Sequence, residues 1–365
     1  MYSGPIIDCD VHHNWASERE LLPYMPEYWR NFVTERPHGR FPLTPRGGGR
    51  SYQHMNGLPY RIDALGPNGI PGSDYDYVRQ QLLEAYNFDR VIVGFDIGFQ
   101  QGITNPELSV VACRAANDWC IEKWLSLPDD RIRGVIMIPT QDVEAAAAEI
   151  RRVGKHPRMC ATLMVFNGMN KPFGHPVYHP IYRAAVELGL PIQIHSPINR
   201  GYPGGDPLTR MEWHSLGGGT MAPHVSSFIS FGVFEKIPEL RVLSIEVGVT
   251  WLPWLLGNLD ARWEEFRRES PLVRKLPSEY FREHIKMSTQ PLEMGKQDQQ
   301  LVDVLETFEG IDELLCFSTD YPHWDADDPL YIARKLPQSW LPKVMWRNAR
   351  DIYGYARPFA GALAA

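Results

Sequence analysis

Eight short runs of apolar, mostly β-branched residues recur along the chain and alternate with stretches of amphipathic, helical character. The apolar residues within each run are nearly continuous, which is typical of strands buried on both faces of a parallel sheet. The pattern predicts strands at 5–11, 90–96, 133–138, 161–166, 191–195, 241–246, 284–288 and 314–320. It predicts helices at 106–125, 142–153, 178–188, 220–234, 251–268, 297–308 and 341–353.

Strand–helix alternation of this kind indicates βαβ units and therefore a parallel sheet. Eight such units predict an α/β fold that closes as a (β/α)8 TIM-like barrel, with an open doubly wound sheet as the structural alternative. Local signals support two of the helices. Asp142 is suited to cap the helix at 142–153, and Gly189 is a stop signal after the helix at 178–188.

One stretch interrupts the alternation after the first strand. It runs from about residue 15 to 75 and is rich in glycine, proline, arginine and aromatic residues. The mixture predicts an ordered loop or flap, because aromatic residues are interspersed among the turn residues. We expect a single domain over 1–357 that carries this flap insertion above the catalytic face of the barrel, and a C-terminal tail at 358–365.

Composition and charge narrow the class of protein. The 365 residues carry a formal net charge of −7, so neither sign dominates and neither nucleic acid nor a membrane surface is an expected partner. No apolar run approaches the ~20 residues of a membrane span, and the first residues lack signal-peptide character. We therefore expect a cytoplasmic enzyme with a small-molecule substrate. The five scattered cysteines are expected to be core residues, not disulfides or zinc ligands.

Ionisable residues stand where four of the predicted strands end, which in a parallel barrel is the edge that carries the active site. On the first strand they recur with a spacing of two, so they share one face. The set comprises Asp10 and His12 on the first strand, His195 on the fifth, Glu246 on the sixth, and Asp320 with His323 on the eighth. Asp8 lies nearer the middle of the barrel and is expected to be structural.

Imidazoles and carboxylates that converge without a thiolate suit a divalent metal, either Zn or Mn with Fe as a further candidate, as one or two ions. A cation would also offset the cost of holding several carboxylates close together. Each residue taken alone has a structural explanation as well, as a cap, a core histidine or an arginine partner. His323 in particular could hold Asp320 in place without binding the metal.

These residues resemble the amidohydrolase superfamily, and more narrowly its amidohydrolase-2 branch, which includes aminocarboxymuconate-semialdehyde decarboxylase and the resorcylate-type decarboxylases. The similar motifs are Asp10-x-His12, His195 and Ser318-Thr-Asp-Tyr-Pro-His323, supported by the runs at 232–240 and 347–353. The resemblance implies a distorted (β/α)8 barrel, a divalent metal held by Asp10, His12, His195 and Asp320, and an oligomer. A homo-oligomer is expected, with a hetero-oligomer with a paralogue as an alternative.

The sixth strand departs from the family pattern. The decarboxylases carry a histidine there, in a His-Gly-Gly motif that serves as base or proton donor, whereas this chain has Glu246-Val-Gly248. The ordinary pKa of glutamate lies roughly two units below that of histidine. Glu246 therefore cannot replace a cationic proton donor at pH 7 unless burial raises its pKa strongly.

Two chemistries follow from this set of residues. The first is a metal-dependent lyase or hydrolase in which Asp320 shuttles a proton, Glu246 or His323 assists as acid or base, and Arg50 or Arg61 holds a substrate carboxylate. The second is a dinuclear Fe or Mn oxygenase with Glu246 as an added ligand, for which His224 is a spare candidate. A non-catalytic partner subunit on the same barrel is the third alternative.

Overall fold

Eight parallel strands form the centre of the molecule in the computed structural model, which describes residues 2–35, 60–95, 103, 105–165, 169–195, 209–292 and 298–355. The strands are β1 (Ile6–His13), β2 (Phe88–Phe95), β3 (Ile132–Met137), β4 (Met159–Met164), β5 (Ile192–His195), β6 (Val242–Ile245), β7 (Ile285–Ser288) and β8 (Leu315–Cys316). Each strand pairs in parallel with the next one along the chain, in the order β1 to β8. This order confirms the predicted (β/α)8 barrel.

The barrel closes between β1 and the segment that follows β8, and this seam is irregular. The Cys9 N–H donates to the Phe317 carbonyl at 3.0 Å, and the His12 N–H donates to the Tyr321 carbonyl at 2.7 Å. A single parallel bridge joins Val11 to Tyr321. These bonds exclude the open doubly wound sheet, because in an open sheet the first and last strands do not meet.

Helices follow the strands and cover the outside of the barrel. They lie at Glu27–Thr34, Tyr75–Val78, Pro106–Lys123, Val143–Val153, His179–Glu187, Arg210–Ser215, Gly217–Ser230, Val233–Lys236, Trp251–Phe266, Pro277–His284, Asp298–Glu306, Pro329–Lys335 and Asn348–Tyr353. Two local predictions are confirmed. The Asp142 carboxylate accepts a hydrogen bond from the Ala145 N–H at 3.0 Å, and Gly189 ends its helix with a φ of 66°.

The structure also corrects the predicted helix pattern. The helix predicted at 220–234 is divided, because Gly232 adopts a left-handed φ of 63° between Ser230 and Val233. Two further helices, Pro277–His284 and Pro329–Lys335, do not stand out from the sequence pattern. Each has only about two turns and begins with proline at its first position, where the missing N–H costs nothing.

The insertion predicted as a flap contains regular structure close to β1. A 3₁₀ helix spans Glu18–Tyr24, and an α-helix spans Glu27–Thr34. Ser17 starts the first of these with a capping box, in which Glu20 bonds back to the Ser17 N–H at 3.2 Å. This part of the insertion is therefore ordered and helical, and the run at 66–72, for which the sequence indicates loop, consists of turns and bends. The glycine-rich run at 46–50 lies outside the described residues.

The far end of the insertion packs directly on the backbone of β1. Gly72 has a φ of 71°, and a Cβ placed there would lie 2.5 Å from the His12 carbonyl oxygen. The Asn14 N–H donates to the Gly72 carbonyl at 2.9 Å, which fixes this approach. Only glycine allows both the left-handed backbone and the close contact, so this turn holds the insertion against the strand that carries the candidate ligands.

We expect Gly72→Ala to destabilise the protein more than Gly69→Ala. Both glycines have a left-handed φ, of 71° and 73°, but a Cβ at Gly69 has no neighbour within 4 Å. The left-handed cost of about 1–2 kcal/mol applies to both variants, whereas the clash with the His12 carbonyl adds about 1–3 kcal/mol to the Gly72 variant alone. Urea unfolding of the two variants measures the difference, and equal free energies of unfolding would contradict the close packing.

Candidate metal centre

The alternation of β1 separates its polar residues onto two faces. His13 points outward, where its Nδ1 meets the Gly94 carbonyl at 2.5 Å and its Nε2 meets the Cys120 sulfur at 3.2 Å, against the helix Pro106–Lys123. Asp8, Asp10 and His12 share the opposite face and point into the barrel. Burial lowers the pKa of His13 to about 3, so its imidazole is a neutral packing group.

Four of the predicted site residues form one cluster at the mouth of the barrel. Asp10, His12, His195 and Glu246 each offer a ligand atom, and these atoms all lie within 4.8 Å of one another. His195 Nε2 lies 2.9 Å from Glu246 Oε2 and 3.7 Å from Asp10 Oδ2. His12 Nε2 lies 3.8 Å from the same Asp10 oxygen. Strands β1, β5 and β6 thus bring together residues more than 200 positions apart.

His12 joins this cluster to a second one, which contains Asp320 and His323. His12 Nε2 lies 2.8 Å from Asp320 Oδ1, and His323 Nδ1 lies 3.0 Å from Asp320 Oδ2. The rings of His12 and His323 stack with their centroids 4.8 Å apart. Asp320 therefore lies between two imidazoles, and His323 is placed to orient it, as one of the two sequence-based interpretations expected.

The two carboxylate residues that follow β6 and β8 have an unusual backbone conformation. Glu246 has a φ of 54° and Asp320 a φ of 60°, and Asn170 is the only other non-glycine residue with positive φ in the described part of the chain. The Glu246 N–H donates to Ser288 Oγ at 3.1 Å, and the Asp320 N–H donates to the Asp10 carbonyl at 3.0 Å. Left-handed backbone of this kind persists only where its surroundings enforce it, and it concentrates at functional sites.

Burial and mutual charge set the ionisation of the cluster. Burial raises the pKa of Asp10 to about 6 and raises the pKa of Asp320 well above its ordinary range. Burial also opposes the charged forms of Glu246 and His195, but their attraction for each other outweighs it. The pKa of Glu246 is lowered to about 2, and the pKa of His195 is raised to about 9. Glu246 is therefore ionised at neutral pH and does not replace a proton donor.

The geometry fits a divalent cation. Asp10 Oδ2 is buried, and no hydrogen-bond partner reaches it from the described residues. Its imidazole neighbours lie at 3.7 and 3.8 Å, too far for a hydrogen bond. Ligands held about 2.1 Å from one metal ion are separated by about 3–4 Å, which is the spacing found here. Oxygen and nitrogen donors of this mixture suit Mn, Zn or Fe.

The remaining sequence candidates have other surroundings. Arg50 lies outside the described residues. The Arg61 guanidinium forms two hydrogen bonds to the Asp63 carboxylate, at 3.0 and 2.6 Å, so a substrate carboxylate would have to compete with Asp63. His224 is in neither cluster; its ring is tilted against Phe173 with the centroids 4.2 Å apart, and burial lowers its pKa to about 4. His224 packs the core instead of extending the ligand set.

Two hydroxyl groups that contact the site were not predicted from the sequence. Ser288 at the end of β7 accepts the Glu246 N–H, and Thr319 bonds to Asp8 through its backbone N–H and its hydroxyl. The only signal for Thr319 is its place immediately before Asp320 in the eighth-strand motif. Ser288 carries no comparable signal, since its role depends on the neighbouring strand. The five cysteines are buried and free, as expected.

A comparison with protein families places this barrel and its cluster among metal-dependent enzymes of the amidohydrolase superfamily. The chain belongs to the amidohydrolase family, whose model matches residues 7–355. Curated relatives include a gamma-resorcylate decarboxylase from Rhodococcus jostii, 28% identical over 265 residues, which cover 68% of this chain and 78% of the relative. Another gamma-resorcylate decarboxylase, from a Polaromonas species, is 25% identical over 290 residues, which cover 75% of this chain and 86% of the relative.

Solved structures share the fold. A dihydroxybenzoic acid decarboxylase from Polaromonas, determined with manganese and 2-nitroresorcinol, has a TM-score of 0.66 at 19% identity and covers 99% of this chain and 100% of its own. A 5-carboxyvanillate decarboxylase from Novosphingobium aromaticivorans, determined with manganese, has a TM-score of 0.70 at 18% identity and covers 96% of each chain.

These comparisons confirm the resemblance drawn from the motifs and the expectation of an enzyme with a divalent-metal site. The relatives named above are decarboxylases, so they give no support to the oxygenase alternative. Ion identity, ion number, assembly and cellular location stay predictions. No helix in the described ranges is long and apolar enough to cross a bilayer.

We expect Mn²⁺ to stabilise the metal-free protein and His195→Ala to abolish most of this gain. An ion that binds only the folded state adds about 2.7 kcal/mol at a concentration 100 times its Kd. Thermal melting with and without Mn²⁺, beside metal analysis per chain, measures the effect. His156→Ala, which lies outside both ligand clusters, is the control; loss of the Mn²⁺ shift in this variant as well would contradict the assignment.

Proposed function

We propose that the protein is a divalent-metal-dependent decarboxylase that acts on an aromatic carboxylic acid. The observation that carries the proposal is the buried carboxylate–imidazole cluster at the carboxyl ends of β1, β5, β6 and β8. The relatives named as decarboxylases of hydroxylated aromatic acids support the reaction type. Decarboxylation breaks the bond between the ring carbon and the carboxylate, releases CO₂, and leaves an electron pair on the carbon that must take up one proton.

The metal would be held by Asp10, His12, His195 and Asp320. Glu246 would lie next to the metal, in contact with His195. Manganese is the first candidate ion, because oxygen donors make up half or more of this set. Such an ion supplies a Lewis acid that polarises the substrate carboxylate or a neighbouring ring oxygen. His195 also keeps Glu246 in place, since the two side chains approach to 2.9 Å.

Asp320 is the residue placed to hold and transfer the proton. One of its carboxylate oxygens lies 2.8 Å from His12 and the other 3.0 Å from His323, so a proton held there has an imidazole on either side. Proton transfer by a positioned side chain contributes about 10²–10⁴-fold to a rate. Glu246 acts as a ligand or an anionic partner of His195, because it stays ionised.

Aromatic side chains border the cluster on the side of the β8 loop. The Tyr60 ring lies 5.7 Å from the His323 ring, and Trp324 follows His323 with half of its surface exposed. Tyr60 and Trp324 line an open cavity of about 740 Å³ together with Arg61, Ile62, Asp63 and Leu65. Such walls favour a flat aromatic ligand, since rings stack or meet edge to face at these distances.

We expect the Mn²⁺-loaded protein to release CO₂ from 2,6-dihydroxybenzoate or 5-carboxyvanillate without consuming O₂. Asp320→Asn should lower kcat by about 10²–10⁴-fold, because asparagine cannot carry the proton. The measurements are CO₂ evolution, substrate loss by absorbance, and an oxygen electrode on the same sample.

The matched control is Asp328→Asn, eight residues further along the same loop. Asp328 caps the helix Pro329–Lys335 through the Tyr331 N–H at 2.7 Å, and asparagine caps a helix equally well. Its kcat should equal that of the unmodified chain. Stoichiometric O₂ uptake, or hydrolysis of an ester or amide with no CO₂ from any acid tested, would contradict the decarboxylase.

A further inference from the structure

A buried acid that belongs to neither ligand cluster lies directly beneath them. Asp8 is fully buried on the inner face of β1, two residues before Asp10. Its Oδ1 accepts the Thr319 N–H at 2.9 Å and the Asp10 N–H at 3.2 Å, and its Oδ2 accepts the Thr319 hydroxyl at 2.7 Å. Both oxygens of Asp8 thus accept hydrogen bonds from protein donors, and Asp8 belongs to neither group of candidate ligands.

Thr319 transmits this contact to the residues on either side of Asp320. Its hydroxyl oxygen accepts the Tyr321 N–H at 3.1 Å while it donates to Asp8. The peptide unit before Thr319 is therefore bonded to Asp8 directly, and the peptide unit after Asp320 is connected to Asp8 through the Thr319 hydroxyl. Asp320 itself has a φ of 60°, a conformation that costs a non-glycine residue energy and requires support from its surroundings.

The support is needed because the seam between β1 and β8 has no regular ladder. The strand β8 contains only two residues, and β1 changes its register against β2 between Asp8 and Val11. Yet this seam separates Asp10 and His12 from Asp320, so it sets the spacing between candidate ligands from the first and last strands. Two backbone hydrogen bonds cross the seam here, from the Asp320 N–H to the Asp10 carbonyl and from the His12 N–H to the Tyr321 carbonyl. The bridge between Asp8 and Thr319 adds side-chain bonds to these two, and bonds of this kind orient ligands.

We propose that Asp8 is a positioning residue that acts through Thr319 to hold Asp320 at its working distance from Asp10 and His12. The proposal rests on the metal centre and not on the reaction catalysed there. In this role Asp8 touches neither the metal nor the substrate. Its acceptor geometry, and not its charge or its capacity to release a proton, is what the site uses.

The first test compares Thr319→Val with Thr319→Ser. Valine has nearly the shape of threonine but cannot bond to Asp8 Oδ2 or accept the Tyr321 N–H, whereas serine keeps both bonds. We expect the Kd for Mn²⁺, measured by isothermal titration calorimetry, to rise by about 10–100-fold in the valine variant. The serine variant should stay within a few-fold of the unmodified protein, and equal affinities in both variants would overturn the proposal.

The second test separates geometry from charge at Asp8. Asp8→Asn keeps one oxygen for the two N–H donors and places an amide where the Thr319 hydroxyl can accept, so this variant should retain most of the Mn²⁺ affinity. Asp8→Ala should lose affinity by about as much as Thr319→Val. An asparagine variant as weak as the alanine variant would show that the charge of Asp8 is required, which contradicts a positioning role.

A structural readout keeps the proposal separate from the metal assignment. Metal-free crystals of Thr319→Val should show Asp320 relaxed from its positive φ or displaced from His12, whereas Thr319→Ser should show both unchanged. If the unmodified chain binds no Mn²⁺, the assignment of the metal site is wrong. The position of Asp320 in the crystals then tests the role of Asp8 by itself. An unmoved Asp320 in the valine variant would overturn the positioning role even where Mn²⁺ binds.

Discussion

The mouth of this barrel holds three carboxyl groups and three imidazoles in two clusters that share His12, and nearly all of these side chains are buried. Isolated charges in such a place would cost several kcal/mol each, so they are retained only as compensated groups. Glu246 is compensated by His195, and Asp320 is compensated by His12 and His323. Among the described residues, no hydrogen-bond partner reaches Asp10 Oδ2, and a cation is the group that would complete its compensation.

This constraint explains why the backbone is irregular where the barrel closes. A regular ladder of backbone hydrogen bonds between β1 and β8 would hold the two strands together. It would also keep their side chains at the ordinary distance between neighbouring strands. The structure ends β8 after two residues and uses a left-handed turn at Asp320 to direct the carboxylate towards His12. The cost of that turn is met by hydrogen bonds from β1, so the site and the closure of the barrel depend on the same contacts.

Much of the fold could be predicted from the sequence, because strands buried in a parallel sheet consist of almost continuous apolar residues. All eight strands were located from this pattern. The site was accessible because its side chains sit at strand ends, where an ionisable residue has no packing purpose. The helix Glu27–Thr34 could not be separated from the loop-like composition around it. The helix starts after Pro26, and its few apolar residues nevertheless face the core, where Val33 is buried and Trp29 and Phe32 pack against it.

The geometry of the site was the least accessible part, since it depends on bonds between residues that are distant along the chain. Asp8 and Thr319 are 311 positions apart, and the sequence around neither residue predicts the hydrogen bond between them. The left-handed backbone of Glu246 is similar, because it depends on Ser288 of the neighbouring strand. Sequence periodicity reports which face a residue occupies, whereas register across a sheet decides which partner it meets.

The glutamate at the end of β6 sets much of the charge of the site. A histidine there would add a group that can be neutral or cationic, whereas Glu246 adds a permanent negative charge that draws His195 towards it. The oxygen share of the cluster rises, which favours harder cations such as Mn²⁺ over ions that prefer nitrogen or sulfur. In the proposed reaction the proton chemistry falls to Asp320 and His323, whose Oδ2 and Nδ1 atoms lie 3.0 Å apart.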